Sequence, residues 1–213
     1  LEFSSELLIP VVIPWVLLIA SAVFIWLLGR AFKWPKEVVG ALLICVPLGN
    51  TSFFGFPMIE AFYGSDAIVY GLLYDQFGSF FGLAIYSTII IALYREQDEK
   101  PTVGSVSRQI LTFPPFIALV IALLTKSFTY PEVFQRLIDS LAVTLVPVIM
   151  IAVGFQLKFR LPKGSKTPLT IGLLTKLVLM PALTIALLFG FGFESTLVQV
   201  TVFESAMPPM ITA

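Results

Sequence analysis

The sequence predicts an all-α polytopic membrane protein in which two spans are interrupted near mid-depth. Composition is the first observation: the chain is 58% hydrophobic and 12% charged, with a mean hydropathy of +0.97. Soluble domains carry about 25% charged residues, so this much apolar surface needs a bilayer to face. The second observation is a series of apolar runs close to the roughly 20 residues that a spanning helix requires. The third is a pair of helix-breaking stretches inside two of those runs, Pro47 to Pro57 and Glu204 to Met210. Lipid accepts unwound backbone only where protein buries it or where it lines a cavity.

Seven spans follow in order. Span A covers about 6–29 and carries Pro10 and Pro14 in its first turns, where proline is tolerated. Span B covers about 37–62 and holds the first break. Span C, about 66–94, contains the polar triplet Tyr74-Asp75-Gln76 and the GxxxG spacing Gly78 to Gly82, which suits close helix approach. A polar link, 95–107, precedes span D at about 108–126. Residues 131–139 read as a short interfacial amphipathic stretch leading into span E, about 140–157. Span F is about 168–190, and span G, about 194–213, holds the second break. The 20 phenylalanines are explained by lipid contact and packing.

Basic residues set the orientation. Arg30, Lys33 and Lys36 lie in the A–B link, Arg95, Lys100 and Arg108 in the C–D link, and Lys158, Arg160, Lys163 and Lys166 in the E–F link. The other side has Lys126 and Arg136. This places links 30–36, 95–107 and 158–167 in the cytoplasm of a cell-membrane protein.

Composition also excludes. Net charge is zero, so nothing points to nucleic acid. There is no histidine, and Cys45 is the single cysteine. Zinc, haem and iron–sulfur sites therefore lack their ligands, and no cofactor is expected. Cys45 sits in an apolar run and reads as a packed thiol. The chain starts at Leu1, and its first apolar run follows Glu2 and Glu6 without a basic region, unlike a signal peptide. Further residues are expected at both ends.

Spans A and B, then F and G, repeat one order of features: a proline, an apolar run, a link, an apolar run and a break. A and F enter from opposite sides, as do B and G, which is the pattern of an inverted repeat. At 1.5 Å per residue, Asn50 lies roughly 20 Å into span B and Glu204 roughly 15 Å into span G. Both depths fall near the middle of a hydrocarbon core about 30 Å thick. Half-helix ends there present free N–H groups to an anion and free carbonyls to a cation. The Asn50 amide both donates and accepts. Asp75, Lys176 and Glu204 are charges inside spans, each costly to insert and so a functional candidate. Glu204 sits in a break and suits Na⁺ or proton coupling, or acceptance of N–H bonds from unwound chain. Asp75 suits a role beside it, or that of a buried partner of Lys176 or of the unwound backbone. Lys176 lies nearer the cytoplasmic end, within snorkelling reach of it.

The motifs Gly49-Asn50-Thr51-Ser52-Phe53-Phe54-Gly55-Phe56-Pro57, Phe62-Tyr63-Gly64, Tyr74-Asp75-Gln76 and Glu204-Ser205-Ala206-Met207-Pro208-Pro209-Met210 resemble the auxin efflux carrier family. That family belongs to a superfamily with the bile acid/sodium symporters. The resemblance implies two inverted five-helix repeats, with the fourth and ninth spans broken and crossing. Spans A to G then correspond to spans three to nine, so the chain covers about seven of ten. Residues 1–94 are part of the first repeat, 95–107 the link between repeats, and 108–213 part of the second. Two spans would precede Leu1, and the rest of the ninth with the tenth would follow Ala213. The short link is bacterial in style.

The resemblance further implies a secondary carrier of a small organic anion, such as auxin in plants or dicarboxylates in bacteria, and a homodimer as partner state. Asn50, Thr51, Ser52, Asp75, Gln76, Ser205, Met207 and Pro208 are the expected substrate contacts. Glu204 and Asp75 are the expected coupling residues, with possible Na⁺ at Glu204 or a proton. A channel or ligand sensor is the alternative. An intramembrane enzyme would have to use the carboxylates of Asp75 and Glu204 or a Ser–Lys pair, and the chain is not read as an enzyme.

Overall fold

The computed structural model describes residues 5–94, 104, 107–108, 111–112, 114–125, 128, 130–156, 164–191 and 195–210. Most of the basic links at 95–107 and 158–163 lie outside the described residues, as does Lys126. Two compact units are formed, one by residues 1–101 with 162–213 and the other by 102–161.

In the first unit, helix α1 (Ile9–Ala31) follows a short 3₁₀ turn. Its buried positions are Pro10, Ile13, Pro14, Leu17, Leu18, Ser21, Ile25 and Gly29, a stripe at the three-to-four spacing of one helix face. Val12, Val16, Ile19, Val23 and Leu27 on the other face are apolar and exposed. A helix apolar all round with only one face packed is a helix facing lipid. A tight turn through Lys33 (φ 53°) leads to Pro35 and helix α2 (Lys36–Cys45). After the first break comes helix α3 (Phe56–Tyr63). Gly64, at φ 85°, makes the turn that follows, a conformation open to glycine.

Helix α4 (Ser65–Tyr94) runs for 30 residues. It opens with a 3₁₀ turn at Ser65–Ala67, is α-helical over Ile68–Tyr74 and Thr88–Tyr94, and widens to π-helix over Asp75–Phe80 and Gly82–Ser87. Such widening concentrates at functional sites. The glycines of the GxxxG spacing let α1 approach: a Cβ on Gly78 would strike the Pro14 ring, and one on Gly82 would lie 2.9 Å from Leu48 Cδ2 and 3.2 Å from Leu18 Cδ1. The Trp15 indole also donates to the Phe77 carbonyl at 2.7 Å.

Two further helices of this unit come from the far end of the chain. Helix α7 (Lys166–Leu188) is π-helical over Thr175–Leu179, and helix α8 is Thr196–Ser205. α1, α4, α7 and α8 share a core of Ile13, Leu17, Tyr74, Met180, Leu188, Leu197 and Val198. A second cluster joins α1, α2 and α4 through Ile25, Leu42, Leu43, Val46 and Ile90. Buried hydroxyls of Ser21, Thr184 and Thr201 donate to carbonyls one turn back on their own helices, which satisfies them inside apolar spans.

The second unit holds helix α5 (Pro114–Thr125) and helix α6 (Glu132–Gln156). Here the stretch at 131–139 and the span it leads into belong to one element. Residues 132–156 form one continuous helix of 25 residues. No glycine or proline interrupts 132–146, and Arg136 pairs with Glu132 one turn earlier at 3.4 Å, so the polar start propagates into the apolar part. Among the described residues three helices, Glu6–Ala31, Ser65–Tyr94 and Lys166–Leu188, are long and apolar enough to cross a membrane. The protein is an all-α membrane protein.

Candidate functional site at the crossed broken helices

Both predicted breaks are present, and they meet. α2 stops at Cys45 because Pro47 has no N–H to continue the ladder and disfavours helical backbone before it. The chain then extends through Leu48, Gly49 and Asn50. α8 stops at Ser205, closes with 3₁₀-type bonds from Ala206 to Phe203 and Met207 to Glu204, and extends through the two prolines. The extended pieces run antiparallel. The Asn50 N–H donates to the Pro208 carbonyl at 2.8 Å, and the Met210 N–H donates to the Leu48 carbonyl at 3.0 Å. Gly49 and Pro209 face each other between these bonds. That is the non-hydrogen-bonded type of antiparallel pair, so the N–H that Pro209 lacks is not missed.

Chain direction recovers through a π-helical turn over Thr51–Gly55, where the Gly55 N–H donates to the Asn50 carbonyl at 3.1 Å. α3 begins at Phe56 with Pro57 in its first turn, where a missing N–H is harmless.

Three charged side chains are strung along this unwound segment. Lys176, from the π stretch of α7, meets its start: a Cβ on Gly49 would lie 3.0 Å from the amine. Asp75, from the first π stretch of α4, meets its middle. Its Oδ1 accepts the hydroxyls of Thr51 at 2.5 Å and Ser52 at 2.6 Å, and its Oδ2 accepts the Gln76 amide at 2.9 Å. Glu204, the penultimate residue of α8, meets its end. A Cβ on Gly55 would be 2.6 Å from both Glu204 oxygens, and one on Gly71 would be 3.0 Å from Oε1. Asp75, Lys176 and Glu204 are 2%, 3% and 0% exposed.

These groups are satisfied unequally. The Asp75 carboxylate has three donors. Both Glu204 oxygens are buried without a hydrogen-bond partner among the described residues. Buried polar atoms are nearly always paired, so each exception calls for an explanation. A carboxylate in this condition is suited to carry a proton or to take a cation. No cluster of three or more metal-binding side chains occurs among the described residues, so a cation here would have to draw its other ligands from backbone and hydroxyl oxygens.

The fold thus joins Thr51, Ser52, Asp75 and Gln76 by hydrogen bonds, with Asn50 at the backbone pairing next to Thr51. Asn50 is buried, while Ser52 and Gln76 are half-buried. Ser205 is buried and turns its hydroxyl back to the Val202 carbonyl at 2.6 Å. Met207 is buried beside Gly49, and Pro208 contributes its carbonyl to the pairing. Lys176 is the addition: it does not snorkel to a helix end but is buried at the crossing. Its signal in the sequence was a lysine within an otherwise apolar run, Leu173 to Met180. The glycines that admit these side chains, Gly49, Gly55 and Gly71, carried no comparable signal. A surface cavity of about 380 Å³ lined by Glu37, Gly40, Ala41, Ile44, Ile90, Ile91 and Tyr94 lies away from these groups.

Two broken helices crossing inside an all-helical membrane protein, with charged and polar groups at the crossing, define the core of a transporter. The chain belongs to the membrane transport protein family, whose profile matches residues 1–213, and this is the auxin efflux carrier family that its motifs resemble. Among curated proteins it is similar to an uncharacterized transporter of Methanocaldococcus jannaschii, at 25% identity over 96% of this chain and 68% of that protein. It is also similar to an uncharacterized transporter of Methanothermobacter thermautotrophicus, at 23% identity over 89% of this chain and 61% of that protein. The chain thus spans about two thirds of the length of these relatives. No solved structure matches it.

Proposed function

We propose that the full-length protein is a secondary active carrier of a small organic anion, with a carboxylate as the recognised group. The observation that carries this reading is the antiparallel pairing of the two breaks around Gly49 and Pro209, which sets unwound backbone beside buried Asn50, Asp75 and Glu204. Free N–H groups and the Asn50 amide hold the carboxylate. Glu204, with two unpartnered oxygens, carries the coupling ion, Na⁺ or a proton. The crossing acts as the fixed site about which the two inverted repeats rock or slide to give alternating access. The carrier lies in the cell membrane as a homodimer, with links 30–36, 95–107 and 158–167 cytoplasmic by their basic residues.

The test is a thermal-shift panel of small carboxylates on the purified full-length protein, with and without Na⁺ and across pH, followed by flux in proteoliposomes. A ligand that binds only the folded state raises the apparent melting temperature. Saturable flux of a carboxylate that also shifts melting supports the carrier. Flux that does not saturate indicates a channel, binding without flux indicates a sensor, and no shift with any anion overturns the carboxylate reading.

A further inference from the structure

We propose that Lys176 is the charged contact that recognises the substrate's carboxylate at the crossing. This rests on the carrier reading and names the group that selects an anion over a neutral molecule.

Lys176 lies in the π stretch Thr175–Leu179 of α7 and is 3% exposed. Its amine abuts Gly49, the residue that faces Pro209 where the two broken helices pair. The missing Cβ of Gly49 is what makes room, since it would stand 3.0 Å from Nζ, 3.6 Å from Cε and 3.6 Å from the Met207 Cβ. Both interrupted segments therefore reach the place where the amine points.

The second point is what Lys176 does not touch. Asp75 is occupied by Thr51, Ser52 and Gln76. Glu204 sits at the Gly55 end of the segment, with the amine at the Gly49 end. Glu204 lies near enough for its charge to act on Lys176, but neither carboxylate is in ion-pair contact with the amine, and no protein hydrogen bond to it is found among the described residues. An ammonium buried in this way is strongly disfavoured unless an anion meets it. A methionine would fill the same volume without that cost. A lysine whose amine no protein anion contacts, at the pairing of the two breaks, is a position prepared for an anion from outside. A carboxylate fits, because it accepts the charge-assisted bond from Nζ. The amide analogue of the same acid has the shape without the charge.

The experiment uses the purified full-length protein with butyrate, succinate and the uncharged butyramide as probes, read by calorimetric titration. The wild type is expected to bind a carboxylate and not the amide. Lys176→Met is expected to weaken the carboxylate by roughly 30-fold or more, as for truncating one partner of a buried charge pair, and Lys176→Arg to recover part of the loss. Should Lys176→Met fail to fold, the wild type decides. Saturating carboxylate should protect Lys176 from a membrane-permeant acylating reagent, as read by mass spectrometry. Lys176→Met binding within about 3-fold of wild type, or acylation unchanged by carboxylate, overturns the assignment and leaves the carrier reading standing. A wild type that binds no carboxylate, or binds the amide equally, overturns the carrier reading itself.

Discussion

Asn50 and Pro208, more than 150 residues apart in sequence, are joined by a backbone hydrogen bond of 2.8 Å at the point where both of their helices have come undone. Each break supplies what the other lacks. The carbonyls and N–H groups freed on one side are met by those freed on the other, so two interruptions together cost less than either would alone in an apolar interior. The bond uses only main chain, which leaves the Asn50 side chain available for another task.

This separation makes Asn50→Ala an informative variant. The backbone pairing survives, because alanine retains the N–H. The expected outcome is an unchanged melting temperature without ligand and a loss in carboxylate affinity of about 10-fold or more, as for a hydrogen bond to a charged group. Titration of the variant beside the wild type checks it, and normal affinity would remove the amide from the site.

Asp75 is expected to matter for stability. Asp75→Ala leaves the Thr51 and Ser52 hydroxyls buried or half-buried without their acceptor, a cost of about 1–3 kcal/mol for each orphaned group. Asp75→Asn keeps one oxygen to accept them and should cost less. Adding Thr51→Val and Ser52→Ala to Asp75→Ala should recover much of the loss, because partner and group then disappear together. Denaturant or thermal unfolding of the four proteins tests the order, and equal stability of Asp75→Ala and wild type would contradict it.

Glu204 is expected to set the ion dependence of transport. Glu204→Gln keeps the volume and removes the charge, so flux should lose its response to Na⁺ or to pH, whichever the wild type has. Gly55→Ala acts on the same group from the other side. The added methyl lands 2.6 Å from both carboxylate oxygens, and these are the end of a flexible chain, so the carboxylate moves before the backbone does. Ion dependence should therefore change more than melting temperature. Proteoliposome flux with both variants decides the matter, and unaltered ion dependence in Glu204→Gln would sink the coupling role.

The contact of Gly78 with the Pro14 ring leads to the opposite expectation. Neither the ring nor the α4 backbone can give way, so Gly78→Ala overpacks the α1–α4 contact at a cost of about 1–3 kcal/mol. A lower melting temperature in detergent, without a change in carboxylate affinity at low temperature, is the expected result.

Much of this was legible before any coordinates. The positions of α1, α4 and α7 follow from apolar runs, and both breaks follow from proline and glycine chemistry. Asp75 and Glu204 were marked by their charge at depth. At 139–140 hydropathy changes while nothing in the local sequence stops a helix, and the helix runs on from 132 to 156. Lys176 was underrated because depth estimated from sequence cannot say which way a side chain leaves its helix. The glycines beside the three charges were unreadable, since a glycine that admits a distant side chain looks like any other.

The sequence by itself determined that this chain is a helical membrane protein and where its two interrupted spans break, because spanning length, apolar content and the missing N–H of proline are local properties. Only the tertiary structure decided that the two breaks pair through Gly49 and Pro209, and that Lys176, Asp75 and Glu204 line up along one unwound segment. Those relations join residues separated by many turns of helix, and they depend on which faces pack together, which no local pattern specifies.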